Sequence, residues 1–165
     1  MKLLKVTLVA TALSAFAMSA QAQDSKLYVN AGVQTLEFDT VSLVGRVGYN
    51  FARNYGVEVE GAVGISGTEE DDIGFDTPWS VGAYFVSSVP ITENFEIIGR
   101  IGYANINIEL ESLDESADTN VDGFATGGGI QYNFDKSNGV RLDYTNLFTG
   151  SGNADVLDVT YVRRF

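Results

Sequence analysis

The 165-residue chain contains no cysteine and no histidine. Without cysteine, neither a disulfide framework nor a thiolate metal site can be built. Without histidine, a Ser-His-Asp arrangement and an imidazole zinc site are both excluded. Basic residues are scarce, ten against 22 acidic, for a formal net charge of −12. Nucleic acid is therefore not an expected partner, because phosphate binding draws on a basic surface. Long apolar runs are also missing. After Met18 no stretch of 18 apolar residues occurs, which excludes a protein that crosses a membrane with helices.

The apolar stretch that does occur is at the N-terminus. Lys2 and Lys5 precede the apolar or small residues Val6 to Met18, and Ala20-Gln21-Ala22 has the small-x-small pattern of a signal-peptidase site. The expectation is a signal peptide over residues 1–22 and a single mature domain over 23–165; an uncleaved N-terminal anchor is the alternative. The run falls short of the roughly 20 residues of a comfortable transmembrane helix. Without Lys2 and Lys5 the mature part has 8 basic and 22 acidic residues, a formal charge of −14. Its content of Val, Ile, Tyr and Phe is too high for an acidic disordered tail.

The mature sequence alternates with period two, which argues for strands. Eight segments are expected: Leu27 to Thr35, Val41 to Phe51, Tyr55 to Ile65, Trp79 to Val89, one starting at Phe95, Gly123 to Phe134, Val140 to Phe148, and a last one ending at Phe165. The third is the clearest, with Tyr55, Val57, Val59, Val63 and Ile65 alternating with Gly56, Glu58, Glu60, Ala62 and Gly64. In the fifth the pattern slips near Ala104, which suggests a bulge or a strand leaving a membrane. Connections after the second, fourth and sixth segments are short. Those after the third and fifth, Ser66 to Pro78 and Glu111 to Asp122, read as long acidic loops, while those after the first and seventh are short.

Alternation alone fits a soluble sandwich as well as a barrel. Two further features favour an all-β, eight-stranded, antiparallel up-and-down transmembrane β-barrel. Large aromatics such as Tyr49, Phe51, Tyr55, Trp79, Phe95, Tyr132, Phe134 and Phe148 sit at strand ends, where interfacial girdles form. Short turns at one end and longer loops at the other follow the outer-membrane pattern. Closure has a physical cause: an open sheet edge in lipid leaves backbone N–H and C=O groups without partners. On this reading the apolar rows face lipid. The charged row, Arg46, Glu58, Glu60, Glu96, Arg100, Arg141, Asp143 and Arg164, fills the lumen as an ion-pair network, with glycines leaving room for the long side chains.

The opening Leu-Tyr-Val-Asn-Ala-Gly, the repeated Gly-Arg-Val-Gly-Tyr-Asn-Phe at 45–51 and Gly-Arg-Ile-Gly-Tyr at 99–103, and the terminal Tyr161-Val162-Arg163-Arg164-Phe165 carry a family resemblance. Over its whole mature length the chain resembles the small outer-membrane barrel superfamily of opacity proteins and OmpA/OmpX-type barrels, the porin family of outer-membrane proteins. The resemblance implies that Val159, Tyr161 and Phe165 form the C-terminal signal read by the barrel-assembly machinery. Arg163 departs from the aromatic or apolar residue often found two places before the terminal Phe.

Candidate chemistry is sparse. Glu58 and Glu60 share a strand face and could do acid–base work; as buried carboxylates they are better read as partners of the lumen arginines. Glu69-Glu70-Asp71-Asp72 offers carboxylates to calcium but lacks the ligand spacing of an EF-hand, and reads better as a solvated loop. Gly127-Gly128-Gly129 lies within a strand and no Lys-Ser/Thr follows, so it is not a phosphate loop. The expectation is a monomeric, non-enzymatic protein of the bacterial outer membrane without cofactor or metal. Its partners would be membrane lipid and, during biogenesis, the assembly machinery. The resemblance implies roles in envelope integrity or adhesion, which this chain would serve through acidic outer loops. A narrow porin-like channel for small solutes is the alternative, and a soluble periplasmic binding domain a third.

Overall fold

In the computed structural model, the described residues are 26–36, 40–65, 79–112, 115–150 and 152–165. The expected signal peptide at 1–22 and the acidic run Glu69–Asp72 lie outside them. Eight strands follow in order: β1 (Leu27–Leu36), β2 (Thr40–Ala52), β3 (Tyr55–Gly64), β4 (Trp79–Pro90), β5 (Phe95–Ser112), β6 (Glu115–Asn133), β7 (Asn138–Thr149) and β8 (Gly152–Arg164). Each pairs antiparallel with its sequence neighbours, and β1 pairs with β8 to close a barrel.

The register sets the tilt. Starting at Arg164 on β8, paired residues lead through Tyr28, Gly48, Glu58, Tyr84, Gly102, Ala125 and Leu147 back to β8 at Ala154, ten residues from the start. In a barrel of eight strands a stagger of this size goes with strands inclined by about 35–45°, and leaves an interior that side chains can fill.

The slip expected near Ala104 is not a bulge. The β5–β6 ladder is unbroken from Phe95↔Tyr132 to Ser112↔Glu115. Tyr103 stays exposed while Ala104 and Ile106 are buried, so parity is kept and only the chemistry of the inward row changes. Most of the expected loop Glu111 to Asp122 is also strand, because β6 begins at Glu115. This hairpin outruns its neighbours: β4 pairing ends at Trp79↔Asn107 and β7 pairing at Gly123↔Thr149. A ribbon beyond the barrel needs no apolar row, which is why its acidic composition resembled a loop. The one register irregularity among the described pairs lies at Asn50/Ala52, beside the β2–β3 turn.

At the same end, the Asp135 carboxylate closes the β6–β7 turn. It accepts from the Asn138 side chain at 2.8 Å, from the Ser137 backbone N–H at 2.7 Å and from that of Asn138 at 2.8 Å. These hydrogen bonds, the Asn138 side chain foremost, hold the carboxyl below its usual range.

The inward row is layered. Towards the loop end it is apolar, with Ala104, Ile106, Ala125 and Leu147 packed together beside Leu36 and Ala154. Charged residues occupy the middle, and towards the turn end lie Asn133, Gln131, Glu96 and Arg164. The apolar layer was not anticipated from the alternation, since a small residue or a Leu in the polar row looks like a lapse of pattern.

Candidate functional site

The middle layer is built by β2, β3, β5, β7 and β8, each placing charge on its inward parity. Arg46 is its hub. Its Nε donates to Glu60 Oε2 at 2.5 Å, its Nη1 to Asp143 Oδ2 at 2.9 Å, and its Nη2 to Asp158 Oδ2. Arg46 and Glu60 are direct cross-strand neighbours, whereas Asp143 and Asp158 face each other across β7 and β8. The guanidinium therefore reaches over the lumen to tie the β2–β3 wall to the β7–β8 wall.

Two more arginines complete the cluster. Arg141 Nη1 donates to Glu58 Oε1 at 2.6 Å, and its Nε lies 2.7 Å from Asp143 Oδ2. Arg100 Nη2 donates to Glu60 Oε2 at 2.7 Å, while its guanidinium carbon sits 3.7 Å from the centre of the Tyr84 ring. Stacking on the ring suits the weakly hydrated guanidinium in a site without bulk water. Tyr28 donates its hydroxyl to Glu58 Oε1 at 2.7 Å, and Tyr84 donates to Glu60 Oε1 at 3.4 Å. The Tyr28 ring lies where a Cβ on Gly48 would stand, so glycine at 48 is what lets that tyrosine reach Glu58.

The sequence-expected residues thus divide. Arg46, Glu58, Glu60, Arg100, Arg141 and Asp143 meet in the buried middle layer. Glu96 and Arg164 form a separate pair nearer the turn end, with Arg164 Nη2 2.7 Å from Glu96 Oε1 and Asn133 Nδ2 donating to the same oxygen at 2.8 Å. Asp158, Tyr28 and Tyr84 were missed, although all three stand on the polar parity of their strands and that signal was available. Of the terminal residues, Val159 and Tyr161 are exposed on the outward face, and Phe165 is half-buried with its N–H on the Leu27 carbonyl at 3.0 Å.

The outward face is the reverse of the lumen. Val57, Val59 and Leu142 are 46%, 64% and 40% exposed, while their neighbours Glu58 and Arg141 are 1% and 2% exposed. Rings crowd this face beside the short turns: Tyr55 stacks on Phe85 at 5.7 Å, and Phe95 meets Tyr132 at 4.8 Å. A continuous apolar exterior around a charged interior is costly in water and stable in lipid. The family model for the outer membrane protein beta-barrel domain matches residues 8–165. The chain belongs to that family.

Solved structures share this fold. The N-terminal β-barrel domain of Pseudomonas aeruginosa OprF superposes with a TM-score of 0.73 at 12% identity, covering 88% of this chain and 100% of that one. Ail, the attachment invasion locus protein of Yersinia pestis, gives 0.66 at 19% identity over 87% and 100%. A second Ail structure, in complex with the heparin analogue sucrose octasulfate, gives 0.62 at 20% identity over 86% and 97%. Neisserial surface protein A gives 0.67 at 12% identity over 86% and 98%. No curated protein matches. At such identities the likeness is one of fold.

In this outer-membrane barrel the charged layer can cross-brace the wall and block the lumen. Glu58 and Glu60, the two carboxylates considered for acid–base work, each accept from a guanidinium and a tyrosine hydroxyl. Among the described residues, no group of three or more acidic side chains is arranged to hold a metal ion.

Proposed function

We propose that the protein is a monomeric, plugged barrel of the bacterial outer membrane that presents an acidic surface to the outside and does no catalysis. The observation that carries this is the distribution of charge along the barrel. Outside the lumen, the basic residues of the described barrel are Lys26, Arg53, Lys136 and Arg163, all at or beside the turn end and the termini. The connections at the opposite end and the protruding β5–β6 ribbon contain no Lys or Arg, and carry Glu37, Asp39, the run Glu69 to Asp72, Asp76, Glu109, Glu111, Asp114, Glu115, Asp118 and Asp122.

With the short turns in the periplasm, the basic end meets the inner side of the membrane and the acidic end faces outward. Such a surface attracts cationic partners and repels polyanions. The sulfated sugar bound by Ail in its solved complex is therefore not the ligand expected for this chain. Val159, Tyr161 and Phe165 serve the assembly machinery, Val159 and Tyr161 from the outward face where a partner can read them. The narrow-channel alternative is disfavoured because the lumen is crossed by Arg46 and capped by apolar side chains.

The protein should fractionate with outer membranes and migrate in a heat-modifiable way on gels. Vesicles carrying it should be retained by a polylysine surface at low salt, released as salt is raised, and not retained by heparin. Retention on heparin, or steady conductance in planar bilayers, would overturn the proposal.

A further inference from the structure

The buried middle layer is not electrically balanced. Among the described residues it holds three guanidinium groups, on Arg46, Arg100 and Arg141, against four carboxylates, on Glu58, Glu60, Asp143 and Asp158. One negative charge is left over in a site that water reaches poorly. Uncompensated buried charge is among the most costly features a fold can carry. A compensating cation is therefore to be sought, and the lumen has a place for one.

Between this layer and the apolar residues Ala104, Ile106, Ala125 and Leu147, which also line it, lies a partly open cavity of about 40 Å³. That is room for an ion or a few waters rather than for an organic ligand. Gln34, Thr145 and Asp158 line it, on the adjacent strands β1, β7 and β8. Gln34 and Asp158 are direct cross-strand neighbours. Gln34 Oε1, Thr145 Oγ1 and Asp158 Oδ1 are all buried without a hydrogen-bond partner among the described residues. The residues themselves are 7%, 4% and 1% exposed. The three side chains that carry these orphaned oxygens thus line one small space beside the surplus charge.

We propose that Gln34, Thr145 and Asp158 form a binding site for a single hard monovalent cation of the sodium class. Oxygen donors select hard cations over thiophilic ones. One carboxylate with two neutral oxygens, and one unit of surplus charge, match a monovalent ion; calcium takes six to eight oxygens, commonly from several carboxylates. The positive groups nearby do not compete for the same oxygen. Arg46 is directed to Asp158 Oδ2, leaving Oδ1, and Arg100 on the cavity wall is committed to Glu60 and the Tyr84 ring. The carboxylates of Glu60 and Asp143 add to the local negative field.

The test is the unfolding midpoint of the refolded mature protein in micelles, titrated with sodium chloride against choline chloride at equal ionic strength. Sodium should raise the wild-type midpoint saturably, which choline should not. Thr145→Val keeps every charge and should raise the half-saturating sodium concentration about tenfold, the order expected for one lost polar contact. Asp158→Asn should abolish the sodium response and raise the midpoint in choline. Coincident sodium and choline curves for the wild type would overturn the proposal. If such a sodium-insensitive protein instead gains stability as pH falls towards 5, a proton on the carboxylate carries the compensation. An unaltered sodium response in Thr145→Val and Gln34→Leu would place any sodium effect elsewhere.

Discussion

Replacing Arg46 with Met lowers the unfolding free energy of the refolded barrel by about 3–5 kcal/mol or more, enough to prevent refolding in many detergents. The magnitude follows from what a buried ion pair costs when one partner is removed. Arg46 has a fully buried side chain and serves Glu60, Asp143 and Asp158 together. Its loss leaves four carboxylates against two guanidinium groups in the same layer. Packing alone cannot explain a loss of this size, because Met fills most of the volume of Arg. A compensated variant separates the two causes. Adding Asp143→Asn and Asp158→Asn to Arg46→Met should recover most of the stability, since a neutral lumen of similar volume carries no unpaired charge. Urea unfolding followed by heat-modifiable migration measures all three proteins. If Arg46→Met unfolds with the wild type, the layer is not a structural brace.

The second large effect is on the opposite face. Val59 stands mid-way along β3 and is 64% exposed. In a water-soluble protein, Val59→Arg at so open a position changes stability by less than about 0.5 kcal/mol. On the lipid face near the bilayer midplane the same change costs about 2–4 kcal/mol. The expectation is therefore a strongly destabilised barrel in phospholipid vesicles, while Arg53→Ala in the β2–β3 turn leaves stability unaltered. Unfolding in vesicles distinguishes the outcomes, and a neutral Val59→Arg would be incompatible with lipid on that face.

The strands were legible because lipid outside and charge inside impose the same period-two signal as a soluble sheet, with its meaning reversed. β3 shows this most clearly: Val57 and Val59 are open while Glu58 and Glu60 are buried. Reversal itself cannot be read from alternation. It had to be argued from aromatics at strand ends and from the need to close the edges. Where the inward row turns apolar, at Ala104, Ile106, Ala125 and Leu147, the polar-in rule lost its signal, and a bulge was one reading of a strand that runs on unbroken beyond its neighbours. Acidic residues on a ribbon beyond the barrel misled in the other direction, because strand pairing there needs no buried face.

The charged site was half legible. Parity assigns Arg46, Glu58, Glu60, Arg100, Arg141 and Asp143 to one interior. It cannot tell which of them meet, because that depends on a ten-residue stagger accumulated around eight ladders. The stagger brings Asp158 on β8 to Arg46 on β2, and it leaves Glu96 and Arg164 in a pair of their own. Tyr28 and Tyr84 illustrate a different gap. Both stand in the polar row of their strands, but their hydroxyls as donors to Glu58 and Glu60 depend on glycine-made space that only the paired strands define.

The medium that the outer rows of side chains touch separates a membrane barrel from a soluble one, and a sequence without cysteine allows a clean determination. Val57→Cys, Val59→Cys and Arg53→Cys, each carrying a nitroxide label in protein reconstituted in vesicles, can be exposed in turn to oxygen and to a water-soluble paramagnetic complex. The labels at 57 and 59 should relax with oxygen, which concentrates in the hydrocarbon, and ignore the aqueous complex, while the label at 53 does the opposite. An aqueous complex that reaches position 59 as readily as position 53 would contradict a barrel with its greasy side turned to lipid.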